Sequence, residues 1–220
     1  KGTIDLGSLS DAVPMDSMEL RGVITSDLTI NGDYEMVEKE LYEDIEASGT
    51  LEMDGFYFKT PDLPEGFHIS KANLQVTPRF MELKTFQSAL GNSDFDLEGR
   101  VENYLSYALK DGTLSGQLEH RSKMLDTNEL MKLAGEDTTQ VEEDTTAMEL
   151  VIVPKNLQFT LNSQIDRLLY DKLVMNDTRG TIRITDGRVI LDGLRSRMLD
   201  GEMEVSGEYN TADTLNPYVD

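Results

Sequence analysis

The groups best able to do chemistry in this chain are carboxylates. Asp and Glu number 42 against 20 Lys and Arg, a formal net charge of −22 over 220 residues. The densest alternating set is Asp94, Asp96 and Glu98, in Asp94-Phe-Asp-Leu-Glu-Gly99. It mimics the opening of a calcium-binding loop. Such a loop needs a bidentate Glu at its twelfth position, and here that position is Leu105. The set therefore reads as the solvated face of a strand, and no metal site is expected.

Other reactive residue types are scarce. His68 and His120 are the only histidines, and a catalytic triad or a His-rich metal site needs further partners at useful spacing. Each is expected at a surface or a strand edge. There is no cysteine, hence no disulfide, thiol nucleophile or thiolate site. The sequence has no Gly-x-Ser-x-Gly elbow, phosphate loop or dinucleotide fingerprint. Neither catalysis nor a cofactor is expected. Phe56-Tyr57-Phe58 could stack on a sugar, but in a chain without tryptophan the run reads as core packing. The eleven methionines suit an adaptable apolar surface or ordinary core filling.

Charge excludes some partners. Nucleic acid needs clustered Lys and Arg, and so does docking on anionic lipid head groups. Burial of acyl chains depends on apolar surface and stays open. No run of 18 apolar residues is present, so no segment here is expected to span a membrane. The chain opens on Lys1 and reads as a piece of a longer protein whose anchor or targeting signal lies outside it.

The elements that must position these residues are mostly strands, organised around residues 74–125. Asp94, Asp96, Glu98, Arg100 and Glu102 alternate with Phe95, Leu97, Gly99, Val101 and Asn103. A period of two puts charge on one face and apolar groups on the other. Continued to Lys110, this run predicts a strand roughly 56 Å long at about 3.3 Å per residue. A compact sandwich rarely needs such a strand, whereas a long trough does. Asp111-Gly112 then predicts a hairpin turn pairing Leu109 with Leu114, Tyr107 with Gly116 and Leu105 with Leu118. In that pairing the Tyr107 ring covers the bare Gly116 backbone. Upstream, residues 77–80 predict a tight hairpin that pairs Val76 with Met81 and Leu74 with Leu83.

Further strands are expected at 2–6, 20–30, 49–58, 69–76, 148–161 and 162–175. Three more are expected over 180–209, around the turn Asp186-Gly187. Val37, Leu41 and Ile45 are spaced by four and predict an amphipathic helix near 34–46. A second, shorter helix is expected near 127–134. Residues 136–147 are acidic and Thr-rich and read as an exposed linker. They divide a first β-rich unit, 1–135, from a second, 148–220, continuous with the same sheet.

The two units share a pattern. At an offset of 108 residues, Leu74 to Arg100 lies on Ile182 to Glu208 without a gap. Leu74/Ile182, Val76/Ile184, Met81/Val189, Leu83/Leu191, Phe86/Leu194, Leu90/Met198, Phe95/Met203 and Leu97/Val205 coincide as apolar pairs. That is twice the about four expected by chance, and it argues for duplication of one sheet element.

The fold expected is mainly β: a long antiparallel, curved meander sheet with an internal repeat and one or two short helices. It is groove-like or a half-open barrel. Two short helices are too little to cover many long strands. Part of the apolar face is therefore expected to form a groove suited to lipid chains. Its candidate lining, from the alternation alone, is Leu74, Val76, Met81, Leu83, Phe95, Leu97, Leu105, Tyr107, Leu109, Leu114 and Leu118.

Several motifs carry a family resemblance. Ile69-Ser-Lys-Ala-Asn-Leu-Gln-Val-Thr-Pro-Arg-Phe-Met-Glu-Leu, Gly99-Arg-Val-Glu-Asn-Tyr and Leu125-Asp-Thr-Asn-Glu-Leu resemble the C-terminal region of AsmA-like proteins of the Bacteroidetes type. Gly180-Thr-Ile-Arg-Ile-Thr-Asp-Gly-Arg-Val-Ile-Leu-Asp-Gly-Leu and Gly201-Glu-Met-Glu-Val-Ser-Gly resemble the same family's repeated element. The resemblance implies a periplasmic segment of a protein anchored in the inner membrane by a helix outside this stretch. It implies a role in outer-membrane biogenesis and lipid homeostasis, similar to bridge-like lipid-transfer proteins. The partners it implies are phospholipid acyl chains and envelope proteins. It supplies no catalytic residues. The competing reading is a periplasmic or cell-surface β-module that binds protein or glycan. A hydrolase built on paired carboxylates is a distant third.

Overall fold

The computed structural model describes residues 1–8, 17–31, 46–61, 63–135, 152–199 and 201–220. The first half supplies β1 (Gly2–Asp5), β2 (Glu19–Asn31), β3 (Glu46–Thr60), β4 (Leu63–Val76), β5 (Phe80–Leu90), β6 (Ser93–Glu102), β7 (Leu114–Ser122) and β8 (Leu125–Asp126). The second supplies β9 (Leu157–Tyr170), β10 (Leu173–Thr185), β11 (Arg188–Met198), β12 (Gly201–Asn210) and β13 (Tyr218–Val219). All belong to one sheet, ordered as in the sequence, with the short β8 set beside β9. The sheet is curved and open and does not close into a barrel. Neighbours are antiparallel except at the join of the two halves, where β7 and β8 run parallel to β9.

Alternation builds this sheet as expected through most of its width. Val76 pairs with Met81 and Leu74 with Leu83 across the β4–β5 hairpin. Thr77 locks the turn, its hydroxyl donating to the Phe80 carbonyl at 3.0 Å and accepting from the Phe80 amide at 3.1 Å. The duplication also holds in three dimensions. An offset of 108 carries the bounds of β5 onto those of β11 and the bounds of β6 onto those of β12. It likewise carries the pair Leu74–Leu83 onto Ile182–Leu191, and Leu83–Gly99 onto Leu191–Gly207.

The long strand ends early. β6 stops at Glu102, and Tyr104–Lys110 is a short helix, α1. Asn103 and Asp111 flank it with φ of 60° and 52°, a left-handed backbone that Asn and Asp tolerate. Asp111-Gly112 is thus a helix end and not a hairpin turn, with the Gly112 amide donating to the Ser106 carbonyl at 3.0 Å. The expected pairs of Leu105, Tyr107 and Leu109 do not form. Instead β7 returns onto β6 with Gly99 opposite Leu118 and Val101 opposite Gly116. Tyr104, Tyr107 and Ala108 repeat at three and four while Leu105, Tyr107 and Leu109 repeat at two, so both periods fit this segment.

Other boundaries differ as well. The strands expected at 148–161 and 162–175 are replaced by β9 and β10, which turn at Asp171. β4 begins at Leu63 instead of near 69 and takes in Pro64. The second expected helix is α2 (Thr127–Gly135), capped by the Asp126 carboxylate, which accepts from the Asn128 and Glu129 amides at 3.1 and 3.3 Å. The helix expected near 34–46 lies outside the described residues except for Glu46, which opens β3. The linker expected at 136–147 also lies outside them.

The chain exposes 14460 Å² for a mass of 24.7 kDa. A compact globule of that mass exposes about 10,100 Å². A one-layer sheet raises the exposed area, because only its apolar side has anything to bury, and the 14460 Å² also includes the residues outside the described ones.

Candidate functional site

The apolar side of the sheet is the first candidate. Its centre is a buried cluster of Ile69, Ala72, Leu74, Leu83, Val101 and Leu118, drawn from β4 to β7. Around it lie side chains that are only partly buried, among them Leu51, Met53, Val76, Met81, Leu97 and Leu161. A second cluster of Leu125, Ile165 and Leu168 sits lower on the face, against Phe95, Met175 and Leu130 of α2. Register extends the same side through Ile182, Ile184, Val189 and Leu191 to Met203 and Val205, all half-buried.

The structure sorts the eleven candidate lining residues into three groups. Leu74, Leu83 and Leu118 are buried in the central cluster, and Val76, Met81, Leu97 and Leu114 pack half-covered around it. Phe95 belongs to the lower cluster. Leu105, Tyr107 and Leu109 lie on α1 instead of on a strand, with Tyr107 and Leu109 exposed.

A band of polar groups interrupts the apolar face around the lower cluster. Ser88, His120, Ser163, Thr178 and Ser196 are all buried. The Thr178 and Ser196 hydroxyls are 3.0 Å apart, and Ser196 also donates to the Asn176 carbonyl at 3.2 Å. His120 is 5% exposed, against the surface or strand-edge position expected for it. Its Nδ1 lies 3.2 Å from Ser163 Oγ, and its ring stacks on Phe95 with centroids 5.8 Å apart. Burial pushes its pKa down, opposed by the nearby Asp94 carboxylate. Nε2 has no partner among the described residues. A hydroxyl beside an imidazole is the pairing of a nucleophile and its base, and here both members are buried. No single residue in the sequence marked this band, since serine and threonine alternate with apolar groups in any strand.

The carboxylates serve structure. Asp94 Oδ1 accepts from the Met124 amide at 2.7 Å and the Lys123 amide at 2.9 Å, which pins the turn after β7. Asp96 faces Gln87, and Glu98 faces Arg121 at 3.5 Å. Among the described residues no group of three or more His, Asp or Glu side chains is disposed to hold a metal ion.

The polar side is not flat. Across β6, β7, β9, β10 and β11 it hollows into a groove of about 830 Å³ whose walls include Arg100 and Arg183. Phe159, Ile184 and Ile190 complete its lining beside the polar groups.

Comparison of the chain with protein-family models, with curated proteins and with solved structures gave no match.

Proposed function

We propose that this chain is a non-enzymatic periplasmic segment of an AsmA-like protein that holds or guides lipid acyl chains on its apolar sheet face. The observation that supports this reading is the broad apolar side of an open sheet, most of it only partly covered. Such a surface is costly to leave in water, at about 25 cal/mol per Å² of apolar area. Hydrocarbon covers it without making any demand for hydrogen bonds. The anchor, on this reading, lies in a segment outside the 220 residues, and the system served is outer-membrane biogenesis and lipid homeostasis. Phospholipid acyl chains are the cargo and envelope proteins the neighbours.

The test is mass spectrometry of an organic extract from gently purified protein, beside an equally acidic control protein. Stoichiometric acyl lipid supports the reading, and photo-crosslinking from Val76, Met81 and Leu97 then maps where it lies. Lipid no higher than in the control, with no crosslink from these positions in membrane-containing cells, counts against cargo on this face.

A further inference from the structure

The hollow on the polar side has a lining unlike the rest of that face. Register sets Arg100, Gln117, Thr160 and Arg183 side by side across β6, β7, β9 and β10. The row beside it reads Glu102, Ser115, Gln158 and Thr185. The row between the two arginines is therefore amide and hydroxyl alone. The one carboxylate lining the groove is Glu102, at the β6 end of the neighbouring row. Elsewhere on the same face stand Asp96 and Glu98 on β6 and Glu119 on β7.

The floor is also uncommitted. Ser115, Gln117, Gln158 and Thr160 have no side-chain hydrogen-bond partner among the described residues. Arg183 is held only by Asp192 at 3.5 Å, in an exposed pair worth little. The Arg100 guanidinium stands 4.1 Å over the Phe80 ring. Phe80 opens β5 opposite Glu102, and it turns to the polar side because its neighbour Met81 turns to the apolar one. On β5, Arg100 faces Glu82.

We infer that this groove binds a short acidic oligosaccharide. Four unpaired amide and hydroxyl side chains, each able to donate and accept, match a ligand rich in hydroxyls. The two arginines match carboxylate or phosphate substituents. Three strand spacings separate the arginines, roughly 14 Å, too far for one small anion to span. A peptide adds to a sheet at its edge by main-chain hydrogen bonds, whereas this groove crosses the middle of five paired strands. The site lies on the opposite side of the sheet from the proposed lipid surface and does not depend on it.

The experiment is calorimetric titration of the purified protein with oligogalacturonate, neutral maltotetraose and an extended acidic peptide. Oligogalacturonate is expected to bind and maltotetraose to bind more weakly. Arg100→Ala and Arg183→Ala are each expected to weaken oligogalacturonate binding about tenfold, the scale of one charge-assisted hydrogen bond lost. Gln117→Ala with Gln158→Ala is expected to weaken both sugars. All four positions are at the surface, so unfolding temperature serves as the folding control. Arg121→Ala, on the same face outside the groove, is expected to change nothing. The inference is overturned by absence of saturable binding of either sugar, by binding of the peptide alone, or by sugar affinity that survives all the groove substitutions.

Discussion

The Phe159 ring lies over Gly116, so close that a β-carbon on the glycine would stand 2.7 Å from its edge. The two residues face each other across the parallel pair of β7 and β9. The same β-carbon would also meet the Arg100 carbonyl of β6 at 2.7 Å. Gly116→Ala is therefore expected to destabilise the fold by about 1–3 kcal/mol, the range for forcing atoms into a packed site. Chemical denaturation measures this. A neutral effect would mean that the ring and the β6 backbone both yield, and that the two halves are joined more loosely than this packing implies.

Asp94 makes a second long-range tie. Its carboxylate takes the amides of Lys123 and Met124, and its own amide donates to the Met124 carbonyl at 3.0 Å. Asp94→Ala leaves those two amides without their acceptor and should cost about 2 kcal/mol. Because both oxygens are already engaged, added calcium should leave the unfolding temperature unchanged. A calcium-dependent rise would show that Asp94, Asp96 and Glu98 act as ligands after all.

His120 gives the stability a pH dependence of known sign. Burial lowers its pKa in the folded chain below the ordinary value of 6.5. The unfolded chain then takes up the proton first. Stability is full above about pH 6.5 and falls as the pH drops through that value toward the folded pKa. His120→Phe keeps a ring against Phe95 and removes the titration. Unfolding temperatures of the two proteins, compared between about pH 8 and pH 5, should converge in shape except for the wild-type decline below about pH 6.5. Parallel curves would place the pH dependence in other groups.

The apolar face should separate packing from binding. Leu83 is buried in the central cluster, and Leu83→Ala should cost about 2–4 kcal/mol. Met81, two residues away and half-covered, should cost less as Met81→Ser. On the lipid reading that milder substitution lowers the acyl lipid recovered per protein, because it puts a hydroxyl where hydrocarbon lies. If Met81→Ser leaves recovered lipid at the wild-type level and is as destabilising as Leu83→Ala, the rim of the cluster is core and not a binding surface.

Period-two alternation made much of the sheet legible in advance. The hairpins of β4 with β5 and β10 with β11 were readable because each strand has one apolar side and a short turn fixes its partner. The 108-residue offset was readable for the same reason. α1 was not, because Leu105, Tyr107 and Leu109 satisfy the strand period while their neighbours satisfy the helical one. The pairing of β7 with β9 was hidden too: parallel partners are joined by a long crossover, here containing α2, and no local signal announces the register. What depended on that pairing was lost with it. The ring over Gly116 was anticipated, but from Tyr107 instead of Phe159. The polar groove could not be assembled at all, since Gln117 and Gln158 become neighbours only across that junction. The burial of His120 follows from its facing Ser163 there.

The parallel pairing of β7 with β9 also settles a question of parity. From β4 to its duplicate β10 there are five steps across the sheet, four antiparallel and one parallel. An even number of reversals leaves the duplicate pointing the same way as the original. Five antiparallel steps would have turned it end for end. The relation between the copies is thus that of successive tiles, not of mirror-facing halves, and the operation can be iterated. Any further unit laid down by the same rule would lengthen the sheet while keeping its apolar side continuous and its ends unexchanged, so chain length alone could set how far the surface reaches.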